Sequence, residues 1–251
     1  MRILLLNIFL LLFISYDVFC QNIVKIAISV DSEYALRGVK ERYSKFTKNK
    51  IELHIASSKT LADQIKNGTQ YDIFISDDST ITESLYNEGY IYQPKTFCYS
   101  LIVLWTPFDD EFYALYPQLI LDPYIDRIAV SNSSNDPYGR RTLDIIRHYK
   151  LEKAENKIIF AESLFGVSKY ICAEAVKLGF TTKAFVVSKE MQEIGKWVEI
   201  NKSTYQPIPI QVALLRKTNN TKLSWALYSY LFKKKAQKIL KRNGFEKFKK
   251  L

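Results

Sequence analysis

A chain of 251 residues, 47% apolar and 25% charged, can bury one large core or two lobes of about 100 residues each, which excludes a disordered or fibrous protein. Three cysteines exclude a disulfide framework, and whether Cys98 and Cys172 pair is open at this level. The net charge of +10 resembles a nucleic-acid signature until it is located: residues 231–251 hold nine Lys or Arg against Glu246 alone. A solvated helix face is the plain reading, with an anionic membrane surface or a partner as the alternative.

Residues 1–20, MRILLLNIFLLLFISYDVFC, carry Arg2 and then an apolar run to Ile14. The run is shorter than the roughly 20 residues a bilayer span needs and matches a secretory signal peptide cut before Gln21. Lipidation of Cys20 is disfavoured by the bulky Phe19, and an uncleaved anchor is the alternative to cleavage.

Val24–Val30 reads as an apolar strand, followed by the polar pair Asp31-Ser32 and a helix with Ala35, Leu36, Val39, Tyr43 and Phe46 on one face. Ile51–Ile55 is a second strand. The richest stretch follows, ASSKTLADQIKNGTQYDIFISDD at 56–78: a serine-rich turn, a short amphipathic helix stopped at Asn67-Gly68, and the strand Ile73–Ile75. Serines at a helix start place hydroxyls beside unpaired backbone N–H groups, which can hold an anion without a cation. The competing reading is that Ser57 or Ser58 simply caps the helix.

Ile81–Leu85 reads as a short helix and Tyr99–Trp105 as a buried strand stopped by Pro107, with loop and short helix over 108–126. Ile128–Val130 is a strand leading into the polar turn SNSSNDPYGRR and a helix from Thr142 to Tyr149. Ile158–Phe160 is a strand, followed by Ala161-Glu162-Ser163 and a helix through Val167, Ile171 and Val176 that Gly179 ends. Ala184–Val187 and 207–215 read as strands, and Thr221–Leu240 as one long helix. Alternating strands and helices imply an α/β fold with largely parallel sheets, in which ligands bind beyond the carboxyl ends of the strands. Strands empty into Ser- or Gly-rich helix starts at 31–32, 56–58 and 131–142, and more weakly at 161–164. Their convergence would make an anion receptor of dipoles and hydroxyls.

The ordered series ASSKTLADQIKNG with YDIFISDD, SLIVLWTP at 100–107, IAVSN with PYG at 128–139, and KILKRNGF at 238–245 resembles the periplasmic molybdate-binding proteins of ABC importers over nearly the whole mature chain. The resemblance implies a two-lobed periplasmic-binding-protein fold. Lobe one spans 21–98 plus 208–251 and lobe two 99–207, each a mostly parallel sheet flanked by helices, and two crossing segments join them. It implies molybdate or tungstate held between the lobes by neutral donors, no cofactor, no metal beyond the bound oxyanion, a membrane permease as partner, a periplasmic location and a monomer. Carried over by motif, Ser58 supplies a hydroxyl, Tyr138 and Leu164 supply backbone N–H groups, and Thr182 stands where the family has a tyrosine hydroxyl.

The first turn departs from that pattern: Asp31 replaces the family's serine, with Ser32 beside it. A carboxylate about 4 Å from a unit negative charge costs about 4 kcal/mol at an effective dielectric of 20, and a dianion about doubles this. That is the whole of a micromolar affinity, about 8 kcal/mol. Three dispositions are open. Asp31 turns away to cap its helix while Ser32 donates; Arg140 or Arg141 neutralises it; or the ligand is another oxyanion, a cation or an amine-bearing solute.

His54 and His148 lack ligand-spaced partners and read as structural. Asp72, Asp77 and Asp78 read as strand-boundary and turn residues rather than an acid/base pair. No nucleophile motif, Walker loop or Rossmann glycine pattern occurs. An enzyme is therefore not expected, an exported surface-attachment protein or enzyme stands as a third class, and no nucleic-acid partner is expected.

Overall fold

The computed structural model describes residues 23–47, 49–108, 114–134, 136–218 and 220–247. The signal-peptide reading of residues 1–20 falls outside the described residues.

Two sheets divide the chain. The first has six strands in the order β11-β4-β10-β3-β1-β2. These are β1 (Ile23–Ser29), β2 (Lys50–Ala56), β3 (Ile73–Ser76), β4 (Lys95–Ser100), β10 (Ile208–Leu214) and β11 (Glu246–Lys247). The second has the order β7-β6-β8-β5-β9. It is built from β5 (Ile102–Thr106), β6 (Ile128–Ser131), β7 (Ile158–Ala161), β8 (Leu178–Thr182) and β9 (Lys196–Glu199). Each sheet has a three-strand parallel part, β2-β1-β3 and β7-β6-β8. One strand in each sheet, β10 and β5, runs antiparallel to it, and β4 and β9 pair antiparallel with the far sides of β10 and β5.

Eight helices flank the sheets among the described residues: α1 (Glu33–Thr47), α2 (Ser58–Lys66), α3 (Ser79–Asn87), α4 (Pro137–His148), α5 (Leu164–Cys172), α6 (Lys183–Val186), α7 (Thr221–Leu231) and α8 (Lys234–Arg242). In the first sheet Val24, Ile26 and Ile28 of β1 pack with Leu36 and Val39 of α1, while Ala27 and Phe74 meet Leu61 and Ile65 of α2 on the other face. Burial on both faces is why β1 and β3 read as near-continuous apolar runs. The second sheet is built the same way, with Ile128 and Val130 against Ile145 of α4 and Ala129 against Val167 and Ile171 of α5.

The chain crosses between sheets at residues 100–102 and 200–207. Tyr205, buried in the second crossing, accepts a hydrogen bond at 3.2 Å from the Ile102 N–H of the first, tying the crossings together.

Several expectations change. The strand read at Tyr99–Trp105 is two strands, β4 and β5, because the chain changes sheet at Leu101. Ala184–Val187 lies at the helical turn α6 and not in a strand. The Thr182 hydroxyl accepts from the Phe185 N–H, so a cap and the tertiary context override a β-rich tetrapeptide. Gly179 ends no helix but sits in β8, where an added Cβ would lie 2.4 Å from Ile171 Cδ1. The long helix at 221–240 is two, α7 and α8, with Phe232 and Lys233 between them. On α8, Ala236 and Leu240 are buried while Lys234, Lys235, Lys238, Lys241 and Arg242 are exposed, as a solvated basic face requires. Cys98 is buried and Cys172 exposed, and both are free thiols.

Candidate functional site

The carboxyl ends of β1, β3, β6 and β8 point into the space between the sheets, and the helix starts after them build its walls. Ser57 caps α2, accepting from the Thr60 N–H at 3.1 Å, which leaves Ser58 in the first turn with its hydroxyl directed elsewhere. That hydroxyl pairs with Ser76 at 2.8 Å and donates to Asp77 Oδ1 at 3.1 Å. The capping reading of the serine turn is met by Ser57, while Ser58 turns its hydroxyl toward the end of β3.

On the opposite wall Asp136 caps α4, and its carboxylate gathers three donors. The Tyr138 N–H donates to Oδ1 at 2.8 Å, while Ser131 Oγ and the Leu164 N–H donate to Oδ2 at 2.6 and 2.9 Å. The turn wraps this carboxylate closely enough that only glycine fits at 139: a Cβ there would lie 2.3 Å from the Ser131 carbonyl oxygen. The two backbone N–H groups expected to face an oxyanion are therefore already engaged by a carboxylate of the chain itself.

A cavity of about 110 Å³ lies between the walls, with Asp31, Tyr34 and Arg37 on one side and Leu164, Thr182 and Phe185 on the other. Of the six residues singled out in the sequence, Asp31, Leu164 and Thr182 line this cavity. Ser58 and Tyr138 belong to the adjoining hydrogen-bond groups around Asp77 and Asp136. Ser32 is fully buried, its hydroxyl taking a 2.7 Å bond from Ser29. The Thr182 hydroxyl is engaged as the cap of α6.

Two of the three dispositions open for Asp31 are corrected. Asp31 caps nothing: among the described residues its carboxyl makes no hydrogen bond or ion pair. Neither arginine neutralises it, because Arg140 reaches Asp78 at 3.4 Å and Arg141 pairs with Asp144 at 3.0 Å. Arg37, on the cavity wall, is held by Glu33 at 3.1 Å and by Glu190 of the other lobe at 2.9 Å.

Asp77, read in the sequence as a turn residue, is buried in the site, and Asp136 carried no expectation at all. The three aspartates sense one another. Burial, then the charges of Asp77 and Asp136, push Asp31 well above the ordinary carboxylate range. Burial, then Asp136, raise Asp77 to about 7, partly offset by hydroxyl donors at Ser29 and Ser58. Asp136 is raised by burial, against which its three donors work. Tyr138 is 1% exposed, and burial followed by the charges of Asp77 and Asp31 raise its pKa, partly offset by the Ser100 hydroxyl beside it. An Asp just before Pro-Tyr-Gly is a cap signal that could have drawn attention to Asp136. Nothing local could have placed Asp136 across a cleft from Asp31.

Asp72 and Asp78 do keep the boundary roles read for them, Asp72 accepting from the Lys25 N–H at 2.8 Å and Asp78 capping α3. His54 and His148 stack edge-on against Tyr71 and Tyr149, away from the cavity. Among the described residues no group of three His, Cys, Asp or Glu is placed to hold a metal ion.

Two lobes with a cleft between them, walled by helix starts from both, are the architecture of a solute-binding protein. Residues 24–246 match the model of the bacterial extracellular solute-binding proteins, and the chain belongs to that family. It is 22% identical over 229 residues to the molybdate-binding protein ModA of Azotobacter vinelandii, covering 88% of this chain and 89% of that one. With ModA of Rhodobacter capsulatus it shares 22% over 189 residues, 72% and 71% of the two chains. The solved structure of the A. vinelandii periplasmic molybdate-binding protein superposes with a TM-score of 0.80 over 90% of this chain and 100% of that chain. PEB3 bound to L-phospholactate superposes with a TM-score of 0.76 at 18% identity, over 90% of this chain and 100% of that one. The fold is that of the periplasmic binding proteins.

Proposed function

We propose that this protein is exported to the periplasm, captures molybdate or tungstate between its lobes and delivers it to the membrane permease of an ABC importer. The observation that carries this reading is the convergence of helix starts from both lobes on one small cleft. Asp31, Leu164 and Thr182 line it, and the donors at Ser58 and at the Tyr138 and Leu164 N–H groups adjoin it, held in this form by Asp77 and Asp136. Turned to a ligand, such donors exchange an oxyanion's water shell for fixed dipoles. The molybdate-binding relatives support the choice of ligand. Hinged closure about the two crossings traps the solute, and the ion pairs Arg37–Glu190 and Arg140–Asp78, which join the lobes, steady the closed form. The protein acts as a monomer and uses no cofactor.

A second reading is favoured by one observation, the three aspartates at the cleft: the solute carries a positive centre, as an amine does. Calorimetric titration with molybdate, tungstate, sulfate, phosphate and ferric citrate tests both. Micromolar or tighter binding of molybdate, with compaction on its addition in small-angle scattering, sustains the first. Silence toward every oxyanion removes it in favour of the second.

A further inference from the structure

An oxyanion in the cleft sits beside Asp31, whose carboxyl lines the cavity and, among the described residues, has no hydrogen-bond or ion-pair partner. The charged groups around it are engaged with other partners. On its own helix Glu33 and Arg37 pair with each other, and Arg37 also pairs with Glu190. From the end of β3 comes Asp77, hydrogen-bonded by Ser58. From the far wall comes Asp136, satisfied by three donors. The nearby cation Arg140 is drawn to Asp78, and Lys183 pairs with Glu199 at 2.6 Å. Tyr34 and Tyr138 complete the surroundings as phenols, and the buried Tyr138 hydroxyl lies within reach of the aspartate charges.

Asp136 and Asp77 thus have donors that suit an ionised carboxylate, whereas Asp31 has none and sits among negative neighbours. A carboxyl so placed is neutralised most cheaply by a proton, and a neutral carboxylic acid is a hydrogen-bond donor. We propose that Asp31 is a specificity-determining ligand contact that acts as a neutral acid, its O–H donating to an oxygen of the bound oxyanion. The inference rests on the oxyanion reading above. The proton comes from solvent, is shared between Asp31 and the ligand oxygen while the lobes are closed, and returns to solvent when they open. Such a site captures the ligand together with a proton. It rejects the same anion once the acid is ionised, since two like charges then face each other across one hydrogen-bond distance.

The test is calorimetry with sodium molybdate on the wild-type protein and on Asp31→Asn, from about pH 6 to about pH 9, in buffers of differing ionisation enthalpy. The wild type is expected to take up close to one proton per ligand in the upper part of this range, its affinity falling about tenfold per pH unit there. Asp31→Asn keeps a neutral donor and takes up about one proton fewer, so its profile is flatter. Equal slopes in the two proteins, or wild-type binding with no proton uptake, would overturn the proposal and leave the oxyanion reading intact. If neither protein binds molybdate or tungstate at any pH, the oxyanion reading fails and takes this one with it. Should the variant prove unfolded by circular dichroism, the wild-type proton uptake decides alone.

Discussion

Asp31 and Asp136 enter one cleft from opposite walls, and their surroundings differ as much as two carboxyl groups can. Asp136 sits in a cradle of one hydroxyl and two backbone N–H groups and closes the start of its own helix. Asp31 faces the cavity without a donor, next to Asp77. The same side chain is in one place a structural anion and in the other a group free to meet a ligand. Residue type sets what a carboxyl can do, and the donors folded around it decide which of those things it does.

The largest effect expected from breaking this contrast is at Gly139. An added Cβ there meets the backbone of residues 131–133, with the Ser131 oxygen at 2.3 Å and the Ser133 nitrogen at 2.7 Å, and backbone cannot step aside as a side chain can. Gly139→Ala should destabilise the fold by about 3 kcal/mol in urea unfolding and open the Asp136 cradle. A loss under about 0.5 kcal/mol would mean that the turn holds Asp136 far less tightly than its distances imply.

Asp77 sharpens the contrast from the other wall. Its folded pKa of about 7 lies above its ordinary 3.8, so between those values the folded protein binds more protons than the unfolded chain. Stability without ligand must then fall as pH rises from about 4 to about 7, the reverse of the usual carboxylate case. Asp77→Asn removes that share, and its melting temperature should exceed the wild type's by about 5 °C near pH 8 while the two converge near pH 4. Parallel curves for the two proteins would count against the crowding of acids at this cleft.

The smallest effect is expected at Arg37, whose side chain is 41% exposed and whose partner Glu190 is 62% exposed. A double-mutant cycle on Arg37→Ala and Glu190→Ala should yield a coupling of about 0.2–1 kcal/mol in ligand affinity, shrinking as salt is added. A larger, salt-insensitive coupling would make this pair a main determinant of closure.

Much of the architecture was legible because its signals are local. Apolar runs at 24–30 and 73–75, the serine turn at 57–58 and the Asn67-Gly68 stop lie within a few residues of what they specify. The errors came where distant parts of the chain decide. Residues 184–187 carry a strand-like run, yet the Thr182 cap and the Leu101 carbonyl oxygen, which takes the Lys183 N–H at 2.9 Å, hold them as a helical turn. The helix expected at 221–240 breaks at Phe232 and Lys233, with no proline or glycine to announce it. Asp77 looked like a turn residue because its partners across the cleft lie some sixty residues further along.

By itself, then, the amino-acid order determined the alternation of strands and helices, the helix starts rich in hydroxyls, and the anomaly of an aspartate where a serine is expected. Each depends on backbone preference and side-chain period over short distances. Only the tertiary structure decided that this anomaly meets two more aspartates, one on its own wall and one across the cleft, and that the nearby cations are committed elsewhere. Electrostatic environment is a sum over neighbours in space, and those neighbours come from β1, β3 and the start of α4, brought together only when both sheets have formed.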